Sequence, residues 1–274
     1  MALLVASTMA LLVAAALAGV FIGICSGLLG IGGGMVMVPL FRLAFGMTPI
    51  GATATSLFAI IPTSISGGVQ HIRNHTCLPK LGIAMGVGGA ITSSLGVALA
   101  QVAPGWTIMA VAAVIIGYSA ITMFQKALAA KPNSASATTT NTEPDDIVLT
   151  RTQLLQGAAI GAAAGFFSGF IGVGGGFIMV PLMLAFIGIP MRLASGTSLV
   201  AVMLLVTPAA IEQCLLGNVN YLVGLAIICG SIPGAIIGAR LVKRVPERTL
   251  RFAFGFFLLL AAILLLVKEL GLLG

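Results

Sequence analysis

Two stretches of this chain nearly repeat each other. Ser26 to Leu40 reads S-G-L-L-G-I-G-G-G-M-V-M-V-P-L, and Ser168 to Leu182 reads S-G-F-I-G-V-G-G-G-F-I-M-V-P-L. Every mismatch exchanges one apolar residue for another. Each stretch sets a glycine cluster and then a proline inside an apolar run, where an uninterrupted helix favours neither. Any fold for this chain must place two equivalent breaks in its backbone.

The likeness extends beyond the motif. Gly32 and Gly174 stand 142 positions apart (174 − 32), and the same offset carries Gly19 and Gly23 onto Gly161 and Gly165. It also carries Thr55-Ser56-Leu57 onto Thr197-Ser198-Leu199, Gly88 onto Gly230 and Gly96 onto Gly238. Equal spacing without a gap over about a hundred residues is the mark of an internal duplication.

The surroundings of the breaks identify the solvent. Only 7% of the 274 residues are charged and 59% are hydrophobic, against about 25% charged in a soluble domain. So little charge cannot coat a water-facing surface, and the chain reads as an integral membrane protein in a lipid bilayer. The net charge of +7 then reports orientation rather than nucleic-acid binding.

Apolar segments are expected at about 3–28, 35–46, 50–72, 81–101 and 106–127, with a glycine break at 30–34. Their second copies fall at about 151–170, 177–188, 193–213, 221–240 and 250–268. Lys131 to Thr150 is rich in Ser, Thr, Pro and acids, so residues 128–150 read as a flexible linker between repeats at 1–127 and 151–274. The segments after the glycines, about twelve residues long, are short of a full span. The fold class expected is all-α: a polytopic membrane protein of two inverted five-segment repeats, with broken or re-entrant helices at the glycine motifs and 8–10 spans. The N-terminus, M-A-L-L-V-A, lacks a basic region before its apolar run and reads as a retained first helix.

The basic residues set the direction of the copies. With an odd number of crossings per half and the N-terminus outside, eleven of the thirteen Lys and Arg fall on the cytoplasmic side. These are Arg73, Lys80, Lys126, Lys131, Arg151, Arg192, Arg240, Lys243, Arg244, Arg248 and Arg251, leaving Arg42 and Lys268 outside. With four crossings per half the split is six to seven, which is no bias. The odd, inverted arrangement is therefore favoured, with the linker cytoplasmic and both termini outside.

The breaks suggest a chemistry. Glycines permit positive φ and close approach. A proline in a first helical turn has no N–H to lose, so Pro39 and Pro181 read as helix-break prolines. Gly32, Gly33 and Gly34, and their echoes Gly174, Gly175 and Gly176, would then present amide groups at the positive end of a short helix, which favours a small anion. Thr53, Thr55 and Ser56, with Ser195, Thr197 and Ser198, can add hydroxyl donors, or can cap the helix and bond back to its carbonyls. Gly19, Gly23 and Gly27 share one helix face and read as close packing. Gln70 and His71, with their counterparts Glu212 and Gln213, are the candidates for ion coupling. Cys77, in a predicted loop, reads as the most reactive of four cysteines. The sequence has no P-loop, HExxH or Cys/His cluster, so neither a cofactor nor a metal is expected, and no catalytic set suggests an enzyme.

The doubled G-x-G-G-G-x-x-x-V-P-L after a small-residue helix resembles the sulfite exporter TauE/SafE family of membrane permeases. The resemblance covers both halves. It implies a transporter in a bacterial inner membrane for small sulfur-containing anions, sulfite and organosulfonates among them. The inverted halves would expose the anion alternately to the two sides, with the bilayer and a small anion as partners and no nucleic acid. The resemblance selects no particular anion and leaves a homo-oligomer open. A passive anion channel on the same breaks is the alternative.

Overall fold

The computed structural model describes residues 2–129 and 149–269, so the linker lies almost wholly outside the described residues. All the regular structure described is helical. The order is α1 (Ala2–Leu29), α2 (Gly34–Ala44), α3 (Pro49–Arg73), α4 (Pro79–Val102) and α5 (Gly105–Ala129). After the linker come α6 (Arg151–Ile171), α7 (Gly176–Leu182) with a π-helical turn at Met183–Ile187, α8 (Met191–Leu215), α9 (Tyr221–Leu241) and α10 (Glu247–Glu269). All ten expected segments are present, each end within three residues of its expected position. Among the described residues, seven helices are long and apolar enough to cross a membrane. The outward faces carry Leu17, Phe21, Ile91, Leu95, Val114 and Tyr118 exposed, which suits lipid rather than water.

The starts of the helices have local causes. The Thr48 hydroxyl accepts the Gly51 amide ahead of Pro49. Thr150 and Gln153 form a reciprocal cap on α6, a device that satisfies two otherwise unpaired amides. Asn220 caps α9 through the Val223 amide. Pro62, Pro208 and Pro233 all lie inside helices.

Contacts fix the chain directions. Helix α4 meets α6 in register along its length: a Cβ on Gly161 would strike Met85, one on Gly165 would strike Gly89, and one on Gly169 would strike Ser93. Rising numbers on both helices mean that α4 and α6 run parallel. By the same test α1 runs with α9, because Gly19, Gly23 and Gly27 close on Ile227, Ser231 and Ala235. Helix α3 also runs with α9, through Thr55–Asn220, Thr63–Ser231 and Asn74–Ala239. Helix α4 runs with α8, since Gly82 and Gly86 close on Thr197 and Leu204. Thus α1, α3 and α9 point one way, and α4, α6 and α8 the other. The small-residue faces let backbones meet directly, which is how helices associate where lipid removes the usual hydrophobic drive.

One end of the bundle is basic. It gathers Arg73, Lys80, Arg192, Arg240, Lys243, Arg244 and Arg248 at the end of α3, the starts of α4 and α8, and the α9–α10 turn. Asn74 bonds the Ala239 carbonyl, the Leu78 amide bonds Thr197, and Arg192 reaches the Val245 carbonyl. At the opposite end Arg42 bonds the Met47 carbonyl at 3.4 Å. Helices α3 and α8 form the centre, with 61% and 72% of their apolar windows buried against at most 50% in the other five spans.

Candidate functional site

The two glycine segments lie side by side in that centre. Gly30, Gly32 and Gly33 all have positive φ, as do Gly172, Gly174 and Gly175. A Cβ on Gly34 would meet the Val173 carbonyl, and one on Gly176 would meet Gly30 and Ile31. The segments therefore pass in opposite directions, in contact. Ile60 of α3 packs against both, close to Gly32, Gly34 and Gly174 alike. Two breaks far apart in the chain thus become one feature in space.

Each break replaces half of a crossing. The inner end of α1 lies beside the end of α3, where His71 Nε2 meets the Gly27 carbonyl at 2.8 Å. Helix α2 ends next to the start of α3. Residues 30–44 thus run the length of α3, first as non-helical glycine-rich backbone with positive φ at Gly30, Gly32 and Gly33 and then as the 11-residue α2. The short segments borrow their missing length from the glycines.

The prolines do not make the breaks. Helix α2 begins at Gly34, so Pro39 is its sixth residue rather than a first-turn residue, and Pro181 holds the same place in α7. The breaks come earlier, at glycines in the left-handed region. The prolines remove one helical bond each in the second turn, and after Pro181 the backbone widens into the π turn.

The six predicted hydroxyl residues are all buried, and their polar atoms are engaged by backbone. Ser198 Oγ donates to the Gly30 carbonyl at 2.7 Å, and Ser56 Oγ reaches the Gly172 carbonyl. Thr55 and Thr197 accept the amides of Asn220 and Leu78. Thr53 and Ser195 bond back to the carbonyls of Ile50 and Arg192. Each half's helix therefore clasps the other half's glycine segment. These hydroxyls build the frame of the site.

Among the described residues, three other buried hydroxyls are unengaged. Ser26, Ser64 and Ser168 are buried, and none of their oxygens has a hydrogen-bond partner. Ser26 and Ser168 are counterparts 142 apart (168 − 26) and open the repeated stretch itself. Ser64 Oγ lies 3.5 Å from where a Gly32 Cβ would stand, and Ser26 Cβ lies 3.7 Å from that of Gly33. Gly33 and Gly175 cap α2 and α7 with no side-chain bond; the amides of Val36, Gly176 and Ile178 reach the carbonyls of Gly33, Gly174 and Gly175, while those of Gly34, Met35 and Phe177 have no intrahelical partner. Unpaired hydroxyls and unpaired amides thus converge beside the Gly32–Gly33 turn. A buried polar group without a partner costs about 1–3 kcal/mol, so this cluster is poised for an acceptor. The pattern of the stretch held the signal for Ser26 and Ser168; nothing in the sequence singled out Ser64, whose counterpart is Val206.

The coupling candidates fall into different settings. His71 is fully buried, with Nδ1 2.7 Å from Thr76 Oγ1 and Nε2 on the Gly27 carbonyl. That carbonyl can only accept, so Nε2 carries a proton. Gln213, at the equivalent place, is fully buried, takes the Asn218 amide at 2.7 Å and leaves its own Nε2 unbonded. Gln70 bonds Asn74, and Glu212 is half-buried near the other end of the bundle. His71 does not reach water, because the α3–α4 turn folds over it.

Cys77 also differs from expectation. It is buried in that turn, and the loss of solvent pushes its thiol up to about 11. Little thiolate exists near neutral pH, so the most reactive cysteine is not this one.

A family model described as sulfite exporter TauE/SafE matches residues 15–265, which include both glycine segments and every helix named above in whole or part. The chain belongs to the sulfite exporter TauE/SafE family. It is a membrane transporter of this family, integral to the bilayer, and not an enzyme. A probable membrane transporter protein, YunE of Bacillus subtilis, is 28% identical over 242 residues, covering 85% of this chain and 89% of the relative. YdhB of the same organism, also a probable membrane transporter protein, is 27% identical over 89% of this chain and 96% of its own length. TauE/SafE family protein 3 of Arabidopsis thaliana is 30% identical over 59% of this chain and 32% of its own. No solved structure matches the chain.

Proposed function

We propose that this TauE/SafE member is a secondary transporter that exports small sulfur-containing anions, sulfite or organosulfonates, by alternating access between two inverted halves. The carrying observation is the meeting of the unpartnered hydroxyls of Ser26 and Ser64 with the uncapped start of α2. Hydroxyls and amides can hold an oxyanion without a buried positive charge, and such a site releases its ligand readily. Ser168 and the start of α7 would serve the other half. Gly32–Gly34 and Gly174–Gly176 supply the backbone, and the Thr53, Thr55, Ser56 and Ser195, Thr197, Ser198 clusters hold it in place.

Chain direction supports the inverted reading: α1, α3 and α4 run opposite to their counterparts α6, α8 and α9. The concentration of Lys and Arg at one end supports a cytoplasmic assignment for that end and its linker, with both termini outside a bacterial inner membrane. Ile31, Ile60, Val173 and Val202 are fully buried around the breaks, a closed arrangement that suits a carrier better than an open channel.

Proteoliposomes carrying the protein are expected to take up labelled sulfite or a sulfonate with saturation and counterflow. A hydrogen bond to a charged group contributes about 1.5–3 kcal/mol, so Ser64→Ala should lower kcat/KM at least about tenfold. Unaltered transport by that variant would remove Ser64 from the site; ohmic single-channel currents would favour the channel.

His71 is the proposed proton-coupling group, because it is an ionisable side chain sealed inside the bundle. His71→Gln, which copies Gln213, should carry substrate down its gradient yet lose the pH dependence of uptake. An unchanged pH profile would exclude it.

A further inference from the structure

The basic end of the bundle contains a feature that transport does not require. Ile237, Arg240, Leu241 and Arg244 line a hollow of about 310 Å³ on the outer surface of α9 and the turn that follows it. We propose that this hollow binds the headgroup of an anionic phospholipid.

The spacing of the four residues places them on one helical face, 237 and 241 a turn apart and 240 and 244 a turn apart. The Arg244 amide bonds the Leu241 carbonyl at 2.8 Å, which continues the face past the end of the helix. Ile237 and Leu241 are 42% and 41% exposed. Along the face toward the basic end come Ile237, Arg240, Leu241 and Arg244, so the strip begins apolar and ends cationic. A phospholipid has the same order from acyl chain to headgroup.

Both arginines are exposed, and among the described residues no carboxylate lies within ion-pair reach of either. The acid of the same turn, Glu247, is already held by Arg251 at 2.6 Å and by the Met191 amide. Arg73, Lys80 and Lys243 are exposed at the same end of the bundle. A concentration of cations with no counter-charge among the described residues, above an apolar strip at the membrane boundary, calls for an anion attached to hydrocarbon. Guanidinium groups suit phosphate oxygens through paired N–H donors.

The test uses the full chain, delipidated in a neutral detergent and titrated with short-chain phosphatidylglycerol. The thermal midpoint should rise saturably. Phosphatidylcholine and inorganic phosphate, at the same concentrations, should not raise it. Each basic residue near an anionic lipid is worth roughly fivefold in affinity, so Arg240→Gln with Arg244→Gln should weaken binding on the order of thirtyfold. Both side chains are exposed, so the lipid-free midpoint should stay near that of the wild type. The double Arg→Lys variant should retain most of the binding. Equal titrations for the wild type and the Gln variant would overturn the proposal. So would an equal rise with phosphatidylcholine, or with inorganic phosphate alone. A dimer that buries α9 and excludes phosphatidylglycerol would also overturn it, by assigning the face to a second copy of the chain.

Discussion

Gly33→Ala and Gly175→Ala should each reduce transport by about a hundredfold while leaving the folded protein near wild-type abundance. Both glycines have positive φ, +86° and +71°, and each begins a short helix at the breaks. An added Cβ in that region costs roughly 1–2 kcal/mol. Around Gly33 it would meet only the ends of movable side chains, Ile22 at 3.0 Å and Met37 at 3.2 Å. Around Gly175 the nearest atoms are the Ala164 carbonyl at 3.1 Å and Met179 at 3.4 Å. The bundle can yield to these contacts, but the first amides of the helix cannot keep their aim while the chain relaxes. A displacement of about 1 Å at a positioned ligand site can cost on the order of a hundredfold in rate. Gly46→Ala is the matched control: its φ is +58°, and nothing lies within 4 Å of the new atom. It carries comparable backbone strain far from the breaks and should transport normally. Comparable losses in all three variants would attribute the effect to strain alone, and normal transport by Gly33→Ala would remove the start of α2 from the site.

Gly161→Leu and Gly230→Leu should act at an earlier step, by abolishing folded protein. At Gly161 a Cβ would lie closer than 3.0 Å to the oxygen, carbon and Cα of Met85. At Gly230 the same holds for the oxygen and carbon of Ala16 and the nitrogen of Val20. These are backbone atoms of parallel helices and have no rotamer to retreat into. Even small overpacking costs about 1–3 kcal/mol, and a leucine would separate α4 from α6, or α1 from α9, along their whole contact. The dispersion lost with each fraction of an ångström is not regained from lipid, which is equally apolar. A Cβ added at Gly117 meets nothing within 4 Å, so Gly117→Leu should be neutral. The measurement is the monodisperse fraction recovered from a detergent extract. Full recovery of Gly161→Leu would mean that the α4–α6 contact is looser than the geometry requires.

The sequence already displayed most of the fold, because lipid leaves few alternatives: every apolar run of sufficient length must satisfy its own backbone as a helix. The glycine breaks were legible for the same reason, since a triple glycine in hydrocarbon needs an explanation. The register of Ser26 and Ser168 was visible as repetition, though not their lack of partners. The roles of Thr55 and Thr197 were not legible, because the amides they accept belong to the opposite half, 165 and 119 residues away. Pro39 misled for a different reason. Proline is common at helix starts, but here the glycines start the helix and the buried second turn tolerates one missing bond. His71 and Cys77 looked accessible near a loop, and only the closure of the α3–α4 turn over them removes them from water.

The clasp between Ser198 and the Gly30 carbonyl spans 168 residues of chain. At a synthesis rate of about 5–20 residues per second, roughly ten to thirty seconds separate the two partners on the ribosome. Throughout that interval the first break is inserted but unclosed. A chain halted before residue 198 never acquires its latch, and it presents the Gly30 carbonyl to an apolar interior with no serine to receive.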